Sequence, residues 1–130
     1  MGTSRSRASS GSPYEATVGF ARAVRVGNHV AVSGTAPIGE NGQVSKDAGQ
    51  QTRRCWEIAL GALAELGGRP EDVVRTRHYV TDLDVVDAVS AVHGEIFGDI
   101  RPASTMVRVA GLIDERWLVE VELDAIVGDD

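Results

Sequence analysis

A chain of 130 residues with 42% hydrophobic and 25% charged residues fits one globular domain and leaves little room for a second. Thirteen basic against 19 acidic residues give a formal charge of −6, a poor balance for gripping a phosphate backbone. No apolar run approaches the length of a bilayer span, the opening residues lack the apolar centre of a secretory signal, and a cytoplasmic location is the expectation.

The first twelve residues, MGTSRSRASSGS, are rich in Ser, Gly and Arg and read as a flexible tail, with Pro13 to Val18 as a lead-in. The domain is therefore expected over residues 19–130. Gly19 to Val26 and His29 to Thr35 are β-prone runs flanking Gly27-Asn28, a two-residue hairpin loop. Pro37 to Val44 reads as a loop. From Asp47 to Leu66 mostly apolar residues recur at three- and four-residue steps, with Asp47 as cap and Gly67-Gly68 as stop. The β-branched and aromatic content of Asp72 to Thr81 predicts a strand. Asp84 to Phe97 returns to helical spacing, with Val85, Ala88, Val89, Val92 and Ile96 on one face. Ser104 to Ala110 and Trp117 to Val127 are two more strands, joined by a turn over Leu112 to Arg116.

The order is thus β-β-α-β-α-β-β, an α+β domain with one sheet and both helices on a single face. In the last strand Trp117, Val119, Val121 and Leu123 alternate with polar residues. The other sheet face is expected to lie open, with too many apolar groups for a solvated surface, and a homo-oligomer is therefore expected.

Several segments, taken in order, resemble the RidA (YjgF) family. These are Ala23-Val24-Arg25-Val26-Gly27-Asn28 with Val32-Ser33-Gly34, then Gln51-Thr52-Arg53, then Asp72-Val73-Val74-Arg75-Thr76 with Val80-Thr81-Asp82. Phe97-Gly98-Asp99 with Arg101-Pro102-Ala103, and Val119-Glu120-Val121-Glu122, complete the series. The resemblance implies a chorismate-mutase-like fold, a homotrimer with ligand clefts between subunits, and hydrolysis of reactive enamines and imines without metal or organic cofactor. Other members of the family are described as ribonucleases or translation inhibitors.

The departures from the pattern bear on chemistry. The family's carboxylate-binding arginine is matched by Ser104, which is uncharged and too short to reproduce a guanidinium fork. Loss of such a charge-assisted bond removes roughly 1.5–3 kcal/mol. The small-residue or cysteine position two residues on is Met106, and the tyrosine near the first strand is matched by Phe20. Ser33, Gly34 and Glu120 do match.

Glu120 is the first candidate for chemistry, because a partly desolvated carboxylate can position water for attack on a C=N carbon. The bland alternative is that Glu120 and Glu122 pair with arginines on one polar strand face. Ser33, Gly34, Ser104, Met106, Phe20 and Arg108 are the ligand-binding candidates. Arg108 shares a strand face with Ser104 but lies roughly 13 Å along it. Arg22 is placed at the cleft rim and Arg101 in the loop. His29, His78 and His93 show no metal-binding spacing, and His93 reads as a boundary residue of the second helix. The lone Cys55 reads as a buried structural thiol. The substrate expected is a small imine, enamine or carbonyl compound, less anionic or more apolar than 2-aminoacrylate. The rival is a catalytically silent trimer that senses or carries a metabolite.

Overall fold

The computed structural model describes residues 4–128. Six strands form one mixed sheet in the order β1-β2-β3-β6-β4-β5. The strands are β1 (Arg5–Ala8), β2 (Ala23–Val26), β3 (His29–Thr35), β4 (Val73–Val80), β5 (Ala103–Arg108) and β6 (Val119–Ile126). The helices are α1 (Ala48–Glu65) and α2 (Val86–Phe97). Only β4 and β5 run parallel, and α2 makes the crossover between them.

One strand more is present than the sequence suggests, and it comes from the segment expected to be a tail. Arg5 to Ala8 pairs antiparallel with Val26 to Ala23 along the free edge of β2. An outer strand needs a partner for its backbone more than apolar side chains, and charged residues are the usual dress of an edge. Ala8, the apolar residue of this segment, is buried. The run read as β-prone from Gly19 begins as a strand only at Ala23. Glu15–Gly19 instead forms a π-helical turn ending at Gly19, where φ is +93°.

The helices begin and end close to where their signals stand. The Asp47 carboxylate accepts from the Gln50 backbone N–H at 2.9 Å. At the other end Gly67 takes φ +89°, and the Gly67 and Gly68 N–H groups donate to the Ala64 and Leu63 carbonyls, closing a Schellman motif. The buried stripe of α1 comprises Gln51, Thr52, Cys55, Trp56, Ala59, Ala62 and Leu63. Trp56 stands edge-on to His78 of β4, His93 of α2 and Phe97 of α2, so both helices lie on one face of the sheet.

That covered face takes up the apolar alternation of β6. Val119, Val121, Leu123 and Ala125 are buried beneath the helices. The open face presents Glu120, Glu122 and Asp124 of β6 beside Arg77 and Tyr79 of β4. The expectation of an uncovered apolar sheet face is therefore corrected: the apolar side of β6 is consumed by packing within the chain, and the open side is ionic. Arg77 reaches Asp124 at 3.3 Å and Glu122 at 3.8 Å. Exposed apolar residues gather instead at the margins, most of all Ile113, which is 95% exposed.

Candidate functional site

The site begins with an irregularity in β3. Val32 pairs with Leu123 and Thr35 with Val121, so β3 holds one residue too many for β6. The surplus is a bulge at Ser33-Gly34, a device that re-aims side chains and frees backbone groups. Arg22 fixes it from the segment ahead of β2. One of its guanidinium nitrogens, Nη2, donates to the Ser33 carbonyl at 2.7 Å, the Gly34 carbonyl at 2.7 Å and Thr35 Oγ1 at 2.9 Å. Ser33 Oγ in turn donates to the Ala21 carbonyl at 2.6 Å.

Glu120 leans against this bulge from β6. A β-carbon added at Gly34 would fall within 3.0 Å of Glu120 Oε2 and at 3.4 Å from Cδ, so the carboxylate occupies space that a side chain there would fill. Burial lifts the Glu120 carboxyl above its ordinary range, the positive charge of Arg22 opposes the shift, and Glu122 reinforces it. Tyr79 stands opposite Glu120 in the β4–β6 register and donates its hydroxyl to Glu122. A cavity of about 440 Å³ opens here. Gly34, Tyr79, Glu120 and Glu122 form its polar wall, and Val109, Gly111, Leu112 and Ile113 form a mostly apolar one. A carboxyl held partly desolvated beside an apolar wall is a stronger base than a solvated one and can orient water.

A second constellation lies on the helix side of the sheet. Ser104 pairs with Thr76, Met106 with His78 and Arg108 with Val80, and Thr76, His78 and Val80 are buried under the helices. Thr76 Oγ1 is 2.8 Å from Ser104 Oγ and 2.9 Å from His93 Nε2. Met106 packs against the core, while Ser104 and Arg108 are exposed on the edge strand.

The candidate residues therefore separate within one chain. Gly34 and Glu120 meet in the cavity, and Ser33 braces the bulge with its hydroxyl already engaged. Ser104, Met106 and Arg108 belong to the other face of the sheet. Phe20, 45% exposed beyond the π-helical turn, is outside the cavity lining. The lining also includes residues that sequence reasoning did not single out, Tyr79 and the Val109–Ile113 segment. Arg22, expected at a rim, holds the bulge instead. Cys55 is fully buried, its thiol donating to the Val119 carbonyl at 3.8 Å, and burial pushes its pKa far up. The structural reading of that thiol stands.

The family described as endoribonuclease L-PSP matches residues 11–127. The chain belongs to this family, the YjgF/RidA family. A crystal structure from Mycobacterium tuberculosis, of a member of the YjgF/YER057c/UK114 family, superposes with a TM-score of 0.87 at 45% identity. It covers 95% of this chain and 100% of that one. An uncharacterized protein of Streptomyces coelicolor is 42% identical over 94% of this chain and 92% of its own length. A RutC family protein of Pyrococcus abyssi is 35% identical over 82% of this chain and 84% of its own. As a YjgF/RidA chain it has the fold expected: one sheet with two main helices. Among its described residues no helix is long and apolar enough to cross a membrane.

Proposed function

We propose that this YjgF/RidA-family chain binds a small imine, enamine or carbonyl metabolite in clefts between the subunits of a homotrimer, and hydrolyses the imine. The observation that carries this reading is the Glu120 carboxyl, seated against Gly34 with its pKa raised by burial. Glu120 acts as the base that orients water toward the C=N carbon. A C–O bond forms, the water proton passes through Glu120 to the nitrogen, and the resulting carbinolamine breaks its C–N bond as its hydroxyl proton moves to nitrogen, leaving a carbonyl compound and ammonia. Arg22 supports the step by fixing the Ser33-Gly34 bulge and by holding positive charge near the carboxylate.

Ser104 favours one further reading, a trimer that binds its ligand without turnover, since no guanidinium stands at that position to grip a carboxylate. The nuclease description attached to the family draws no support from the site. Glu120, Glu122 and Asp124 line the open face of β6, and a phosphate backbone meets repulsion there.

The test generates imines in situ, one carrying a carboxylate (2-aminoacrylate) and one uncharged, and traps them with semicarbazide. Hydrolysis by the protein suppresses trapping, and the uncharged imine is expected to be protected more strongly. Unchanged trapping of both, with saturable binding of the product carbonyl, establishes the silent trimer instead.

A further inference from the structure

The hydroxyl of Ser104 does not stand alone on its edge strand. Behind it runs a chain of hydrogen bonds into the core: Ser104 Oγ, Thr76 Oγ1, His93 Nε2. Thr76 is fully buried, so no solvent competes for its one proton or its lone pairs. Thr76 Oγ1 lies within hydrogen-bonding distance of both neighbours, so its one proton can go outward to Ser104 Oγ or inward to His93 Nε2. When it goes outward, His93 carries its own proton on Nε2 and donates it to Thr76, because a hydroxyl has a single proton to give.

The consequence falls on Ser104. With an inner bond already accepted from Thr76, its own proton is left to point away from the sheet. In the opposite arrangement, with His93 protonated on Nδ1, the Thr76 proton would turn back to Nε2 and Ser104 would have to donate inward. Only lone pairs would then face out. The tautomer of His93 therefore sets whether the edge strand offers a donor or an acceptor. The setting of the imidazole favours a neutral, fixed ring. It lies between Trp56, Phe97 and His78, with ring centroids 6.0, 4.7 and 4.9 Å away. In such surroundings hydrogen bonds in series strengthen one another.

We propose that Thr76 and His93 are positioning residues that hold Ser104 as an outward hydrogen-bond donor, making it the group that selects an uncharged carbonyl or imine acceptor over a carboxylate. This rests on the ligand-cleft reading above and extends it to substrate class. A lone neutral donor satisfies a carbonyl oxygen or imine nitrogen. It gives a carboxylate neither charge nor a second bond.

The test uses nitrogen-15 imidazole NMR of the full chain at pH 7.5, followed by titration with acetamide and acetate, an uncharged and an anionic probe of nearly equal shape. The expected result is the Nε2–H tautomer of His93 in the wild type. In Ser104→Ala it shifts toward Nδ1–H, because the Thr76 proton loses its outward acceptor. A purely structural role for these side chains would not move that equilibrium. Acetamide should perturb the surroundings of Ser104 more strongly than acetate. Thr76→Val should weaken acetamide roughly fivefold, as Ser104→Ala does, and Thr76→Ser should restore it.

An Nδ1–H tautomer in the wild type overturns the proposal, as does unaltered acetamide binding by a folded Thr76→Val. If the tautomers behave as stated but neither probe reaches Ser104, the relay holds and the ligand-cleft reading is what falls.

Discussion

The α-carbon of Gly34 and the carboxylate of Glu120 are packed so closely that a methyl group on the former would stand within 3.0 Å of Oε2. The two residues lie on adjacent strands, and the extra residue of the β3 bulge brings them together. The glycine is needed here for the space it leaves, since its φ is not positive. Gly34→Ala should therefore displace the far end of the Glu120 side chain while leaving the sheet intact. Imine hydrolysis is expected to fall by about a hundredfold, as for a catalytic group moved by about an ångström. Melting temperature, measured alongside, should change by only a few degrees.

Arg22 combines two roles that one substitution exposes together. Arg22→Gln removes donors from the Ser33 and Gly34 carbonyls and from Thr35 Oγ1, and should cost about 2–3 kcal/mol of stability by urea denaturation. It also removes the cation that opposes the burial-driven rise of the Glu120 pKa. The carboxyl should then ionise at higher pH. If ionised Glu120 is the base, the acid limb of the pH–rate profile moves upward in the variant.

His78 gives a stability signature. Its ring is buried, and burial, aided by the nearby His93 and opposed by the Thr105 backbone, brings its pKa down to about 4. An unfolded histidine titrates near 6.5. Between about pH 6.5 and about 4 the unfolded chain therefore binds a proton that the native chain refuses. The His78 contribution is complete above pH 6.5 and is lost as pH falls toward 4, at up to about 1.4 kcal/mol per pH unit. Glu120, with its raised pKa, acts in the opposite sense in the acid range. The comparison that isolates His78 is the stability difference between wild type and His78→Leu, which should shift in favour of the variant across that window.

The added edge strand makes a prediction of its own. Ala8 is 3% exposed where β1 meets Ala23 of β2. Ala8→Asp places a carboxylate in that buried position and should lower unfolding stability by at least about 2 kcal/mol. Ser6→Asp, on the exposed part of the same strand, should change it by less than about 0.5 kcal/mol.

Much of the architecture is legible from local signals: the Asp47 cap, the Gly67 stop, the Gly27-Asn28 loop and the alternation of β6 each act within a few residues. What is not legible depends on which strands become neighbours. Tyr79 reaches the Glu120 wall because β6 inserts between β3 and β4, and no spacing in the chain announces that order. The apolar alternation of β6 is plain in the sequence, but it does not say whether the chain's own helices or another subunit covers it. In β1, Ser and Arg suit an edge as well as they suit a tail. Glu120, Ser33 and Gly34 stand out by resemblance to the family pattern and Ser104 by departure from it. The separation of Ser104 from Glu120 across the sheet became visible only from the strand register.

The most direct measurement is hydrolysis of an uncharged imine by wild type and by Glu120→Gln, which keeps the shape of the side chain while removing its charge and its capacity as a base. The wild type should suppress semicarbazide trapping, and the variant should lose at least about a hundredfold of that activity with folding unchanged. Equal rates for the two proteins would contradict the assignment of Glu120 as the group that positions and activates water.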